Sequence, residues 1–169
     1  MTISPASQLV VTIGSSHGDD RAAWEVGELM KSRSADVNIF RTAAPVDMID
    51  RLDGITQLHI IDACVGDGPV GTLLRCEWRP SVDGPPDFFE SLRASGTHDF
   101  GVPAVLELAD RLGKMPEQCV VWGIVGRDFG PLDPLSGPVR SRLADIAGTI
   151  EKELIRARTQ SRAGAAQSG

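Results

Sequence analysis

The chain has 169 residues, 41% of them hydrophobic and 24% charged, with a formal net charge of −6 at pH 7. That length allows one domain with a true core, and the acidic balance excludes broad binding to nucleic acid or anionic membranes, which needs a basic face. No apolar run approaches the roughly 20 residues of a membrane span, and the amino end MTISPASQLVVTIG lacks the basic region and cleavage site of a secretory signal, so a cytoplasmic protein is expected.

LVVTI, Leu9 to Ile13, is a β-branched run ending at Gly14, the pattern of a buried strand that delivers a loop. Ala22, Ala23, Val26, Leu29 and Met30 then recur at helical spacing, with Asp19 or Asp20 placed to cap the start. VNIF (Val37 to Phe40) predicts a second strand, Pro45 to Leu52 a helix, and LHIIDA (Leu58 to Ala63) another buried strand. GTLLRCEW, Gly71 to Trp78, alternates as a strand, and the Pro/Gly-rich RPSVDGPPD after it reads as loop. Beyond SGTHDFG a helix carries Val105, Leu108, Ala109 and Leu112, followed by the strand CVVWGI at Cys119 to Ile124. After the loop GRDFGPLDPLSG, the positions Val139, Leu143, Ile146, Ile150 and Leu154 step by three or four and define the core stripe of a last helix. Residues 1–158 therefore form one domain, and the tail 159–169, without an apolar stripe, is expected to be disordered. Cys64, Cys76 and Cys119 are odd in number and lack zinc-site spacing, which predicts reduced, mostly buried thiols.

Alternating strands and helices imply an α/β fold whose mostly parallel sheet is covered on both faces. Ligands collect beyond the carboxyl ends of such strands, where the chain places HGDD and IIDA, with THD in a later loop. GSSHGDDR fits neither G-x-G-x-x-G nor G-x-x-x-x-G-K-[ST], and its two acids would repel a phosphate. One aspartate capping the helix, or a carboxylate aimed at a cation, are the readings left for it. Asp62 follows LHII directly, so it either caps a turn or is hydrogen-bonded or paired with a cation. His98 lies in a glycine-containing loop and is either a plain surface residue or the imidazole of a set with Asp20 and Asp62. Two carboxylates and one imidazole leave positions open on a borderline divalent ion. His17 competes with His98 for that place, whereas His59 alternates within a strand and reads as structural. Cys64 with His98 as base would be a nucleophilic pair, although apolar surroundings disfavour the thiolate. No G-x-S-x-G elbow is present.

Taken in order, these segments resemble the hydrogenase maturation endopeptidases, from about Leu9 to Leu154. TIGSSHGDDRAAWEV is similar to the family's first-strand motif, a glycine-rich turn with two acids before a helix, and IIDACVGDGPVGTLL to its D-A segment and P-G-T type turn. SGTHDFGVPAVLELADRLGKMPEQCVVWGI resembles the S-x-H segment, leucine-rich helix, L-G-x-x-P turn and following strand, and PLSGPVRSRLADIAGTIEKEL the L-S-x-x-V start of the final helix. The resemblance implies a three-layer α/β/α sandwich and a peptidase whose catalytic, metal-contacting residues are Asp20, Asp62 and His98. The implied partner is the large-subunit precursor of a nickel-iron hydrogenase. Its nickel arrives with the substrate rather than tightly bound to the free enzyme, and a carboxyl-terminal extension is removed.

The chain departs from that pattern at Ser15, at Arg21-Ala22-Ala23, where the family usually has glycines, and at Arg41-Thr42, where it often has Gly-Thr. Two outcomes follow: a peptidase with an altered target, or a non-catalytic relative that binds the metal-loaded precursor without cutting it. Arg21 and Arg41 are expected either to add positive charge that tunes which precursor docks, or to be simply solvated.

Overall fold

The computed structural model describes residues 7–66, 68–79 and 101–167. Five strands, β1 (Gln8–Ile13), β2 (Ile39–Thr42), β3 (Gln57–Cys64), β4 (Leu73–Glu77) and β5 (Gln118–Val125), form one sheet in the order β2-β1-β3-β5-β4. All neighbours are parallel except β4, which runs antiparallel to β5. Thr12 pairs with Ile61 and Asp62 with Gly123, so β1, β3 and β5 end along one edge of the sheet.

The Val, Ile and Leu runs that mark β1, β3 and β5 are buried on both faces, as central parallel strands must be. One face carries Leu9, Val11, Leu58, Ile60 and Val121 against Met48 of a 3-10 helix (Pro45–Arg51), Leu52 just after it, and Val105 and Leu106 of α2 (Val102–Arg111). The other carries Val10, Ile61, Trp122 and Ile124 against Val26 and Met30 of α1 (Ala22–Arg33) and Ile146, Ile150 and Leu154 of α4 (Leu143–Gln167). Burial of each such side chain is worth about 1.5–3 kcal/mol, which fixes the helices as two outer layers on the sheet. The result is the α/β sandwich that the alternation of elements predicts.

Three expectations change in detail. The stripe from Val139 to Leu154 is shared between a single turn, α3 (Gly137–Arg140), and α4, because Arg142 N–H reaches back only three residues to the Val139 carbonyl at 3.0 Å. Pro45 to Leu52 is tightened to 3-10 geometry. The tail is helical to Gln167 rather than disordered, since α4 continues through residues 159–167. It is held there by polar contacts that an apolar stripe does not reveal: the buried Gln57 Nε2 donates to the Ala157 carbonyl at 3.3 Å and to Ser161 Oγ at 3.0 Å. No helix among the described residues is long and apolar enough to cross a membrane.

Candidate functional site

The loop from Gly14 to Asp20 leaves the end of β1 and turns at once into a 3-10 turn (Gly18–Arg21) and α1. Gly14 is required by close approach, for a Cβ there would lie 2.2 Å from the Asp20 carbonyl oxygen, which accepts the Ser15 N–H at 3.2 Å. Gly18 has φ +53, and a Cβ there would lie 2.0 Å from the Asp128 carbonyl oxygen. These two glycines allow the acids to be presented where the strands end.

Asp20 is half-buried. Burial raises its pKa above the ordinary 3.8, against the opposing effects of a hydrogen bond from the Ser15 side chain and the His17 charge. Asp62, near the end of β3, is 6% exposed. Burial pushes its pKa well above 3.8, the neighbouring Asp20 carboxylate pushes it further, and a backbone hydrogen bond from Ala63 offsets only part of this. The fold thus brings Asp20 and Asp62 into electrostatic contact from two strand ends. His98 lies outside the described residues, as does THD. Among the described residues there is no group of three or more His, Cys, Asp or Glu side chains that could hold a metal ion, so Asp20 and Asp62 stand as a pair. Two desolvated carboxylates are hard donors that a divalent cation would bring back to their charged forms.

Asp19 corrects the expectation of a helix cap. It makes no capping bond and is completely buried, accepting from Arg127 N–H at 2.8 Å, Asp128 N–H at 3.2 Å, Ser136 N–H at 2.7 Å and Ser136 Oγ at 2.9 Å. Burial alone would raise its pKa, but those donors hold it below 3.8. Sequence reading missed this role and that of the 126–136 loop. The Gly/Pro-rich GRDFGPLDPLSG after β5 was the signal available.

His17 is exposed and its Nδ1 lies 2.9 Å from the Pro131 carbonyl, so that nitrogen carries the proton. His59 is buried, with Nδ1 accepting the Trp122 indole N–H at 3.1 Å, and burial lowers its pKa to about 4, in keeping with a structural role. Cys64 is fully buried, which does not suit an attacking thiol. Arg21 pairs with Glu25 at 2.7 Å and the Arg41 guanidinium stacks 3.7 Å over the Trp24 ring, so both exposed arginines have local partners. Ala22 and Ala23 are fully buried in the core beneath α1, so their methyl groups face the core. A cavity of about 1110 Å³ lined by His59, Arg75, Glu77, Glu153 and Arg156 includes neither Asp20 nor Asp62.

No protein-family model and no curated protein matches the chain. Solved structures do. The hydrogenase maturating endopeptidase HybD from E. coli aligns with a TM-score of 0.71 at 18% identity, covering 89% of this chain and 93% of its own. A hydrogenase 2 maturation peptidase from Thaumarchaeota archaeon SCGC_AB-539-E09 aligns with a TM-score of 0.62 at 23% identity, over 88% and 97%. The [NiFe] hydrogenase maturation protease HybD from Thermococcus kodakarensis gives 0.61 at 19%, over 86% and 97%. Over most of its length, then, the chain has the fold of the hydrogenase maturation peptidases.

Proposed function

We propose that the protein is an endopeptidase that removes a carboxyl-terminal extension from the nickel-loaded large-subunit precursor of a nickel-iron hydrogenase. The observation that carries this reading is the pairing of the Asp20 and Asp62 carboxylates at adjacent strand ends, in a fold shared with such peptidases. Without a cation each carboxylate is driven towards its neutral form; the precursor's own metal reverses that preference, so a loaded precursor is favoured over an empty one. His98, in the segment that resembles S-x-H, is the third residue assigned to meet the metal. A carboxylate of the pair, once ionised, is also a general base for water attacking the scissile carbonyl.

The Arg21-Ala22-Ala23 departure supports a second reading, binding without cleavage. Burial of Ala22 and Ala23 and the pairing of Arg21 with Glu25 favour the peptidase, because none of the three is drawn towards Asp20. Arg21 and Arg41 are assigned to precursor choice through their charge, and unchanged choice and rate in R21G and R41G would discard that role.

The deciding experiment incubates purified protein with nickel-loaded and nickel-free precursor and follows subunit mass. Loss of a carboxyl-terminal peptide in the loaded sample alone supports the peptidase. Stable association without mass change supports the binder, and neither outcome in either sample refutes both.

A further inference from the structure

Resting on the peptidase reading, the structure points to a residue that acts on the site without joining it. The loop carrying Asp20 has few bonds of its own: the Ser15 side chain to the Asp20 carboxylate, Ser15 N–H to the Asp20 carbonyl at 3.2 Å, Asp20 N–H to the His17 carbonyl at 3.1 Å, and His17 N–H to Ser15 Oγ at 3.2 Å. Gly14 N–H donates to the Thr42 carbonyl of β2 at 3.2 Å, and the remaining ties cross to the 126–136 loop. Gly18 N–H donates to the Asp133 carbonyl at 3.0 Å, Asp19 N–H to the Asp128 carbonyl at 2.6 Å, and His17 Nδ1 to the Pro131 carbonyl at 2.9 Å.

The far side of that loop is fastened to β3. Gly126 N–H donates to the Cys64 carbonyl at 2.9 Å, two residues beyond Asp62. The chain of bonds therefore runs from the Asp20 loop through the 126–136 loop to the Asp62 strand, and at its centre sits the buried Asp19 carboxylate with its four donors. We infer that Asp19 is a positioning residue: by clamping the 126–136 loop it sets the separation of Asp20 and Asp62.

Asp19→Asn replaces a double acceptor with one acceptor and an NH₂, so at least one backbone N–H meets a donor whichever way the amide turns. Ser136→Ala deletes one of the four donors. Ser136→Pro deletes two, and the φ of −64° at Ser136 is one proline adopts. Cleavage of nickel-loaded precursor is measured at a temperature where circular dichroism shows each variant folded. The inference expects kcat to fall in the order S136A, S136P, D19N, reaching about a tenfold loss or more in D19N with KM within about threefold. A clamp with a merely structural role lowers Tm and leaves kcat of the folded protein alone. Wild-type kcat in folded D19N, or in folded S136P should D19N fail to fold, overturns the inference.

A second readout is independent of cleavage. Amide exchange at Ser15 and Asp20 in the variants is expected to quicken by about tenfold relative to core amides such as Ile60. If the wild type cuts nothing, the peptidase reading fails on that result alone, and unchanged relative exchange at Ser15 and Asp20 is then what overturns the role of Asp19.

Discussion

The Asp20 carboxylate raises the pKa of Asp62, its neighbour across the ends of β1 and β3. Asp62 is already pushed up by burial, so the pair stores unfavourable charge whenever both groups are ionised. A folded-state pKa above the unfolded value favours folding below the unfolded value, near 3.8, and that contribution is lost as pH rises through the folded pKa. Asp62→Asn is therefore expected to raise Tm, with a larger gain at pH 8 than at pH 4, and, on the proposed function, to abolish precursor processing. Each kcal/mol recovered reads as about 2–4 °C for a chain of this size. Calorimetry of both proteins across that range decides it, and parallel Tm curves would show that Asp62 carries no buried charge.

His59 gives the opposite slope. Its folded pKa is lowered to about 4 from 6.5, first by burial and then by Arg75, with Glu153 opposing. Stability from the neutral ring is fully present above 6.5 and is lost as pH falls from 6.5 towards 4. An NMR titration of the His59 ring is expected to show the neutral form at pH 5.5, with Nδ1 unprotonated because the Trp122 indole N–H occupies it. A midpoint near 6.5 would refute this. Trp122→Phe leaves Nδ1 without its donor and is expected to cost about 1–3 kcal/mol.

Gly18 and Gly113 separate backbone strain from collision. Both have positive φ, +53 and +68, but a Cβ at Gly113 meets nothing within 4 Å whereas one at Gly18 would lie 2.0 Å from the Asp128 carbonyl oxygen. Gly113→Ala is expected to cost only the left-handed penalty of about 1–2 kcal/mol. Gly18→Ala is expected to cost more and to slow processing, because the Asp128 carbonyl that must move also accepts the Asp19 N–H. Chemical denaturation of the two variants compares them directly; equal losses would show that the 126–136 loop yields freely.

The sheet was legible because LVVTI, LHIIDA and CVVWGI are apolar enough to be central strands, and placing Asp62 near the end of β3 followed from that alone. The roles of the adjacent acids were not legible. Asp19 and Asp20 have the same side chain, and what distinguishes them is a set of donors from Arg127, Asp128 and Ser136, 108 to 117 positions along the chain. A local pattern cannot report such partners, so the cap was the natural reading of Asp19 and the buried clamp is what tertiary packing made of it. His98 falls outside the described residues, and its place beside Asp20 and Asp62 rests on the family resemblance.

The carboxyl-terminal turns of α4 offer a test at the opposite end of the strands. Gln57, 2% exposed at the start of β3, shares a hydrogen bond of 2.6 Å with Gln8, and Gln8 Nε2 donates to the Leu154 carbonyl at 2.9 Å. Arg158 Nε donates to Gln8 Oε1 as well, so two buried amides join β1 and β3 to the helix. Ser161 Oγ adds an acceptor for Gln57 Nε2 that no apolar periodicity encodes. Ending the chain after Arg158 removes this acceptor and the last turns, and is expected to lower Tm by about 2–4 °C, the equivalent of roughly 1 kcal/mol. Ser161→Ala should show part of that loss. On the proposed function, precursor processing should be unaffected in both, since Asp20 and Asp62 lie at the opposite end of β1 and β3. Thermal melts followed by circular dichroism supply the measurement, and an unchanged Tm in both variants would mean that the helix beyond Arg158 contributes nothing to the fold.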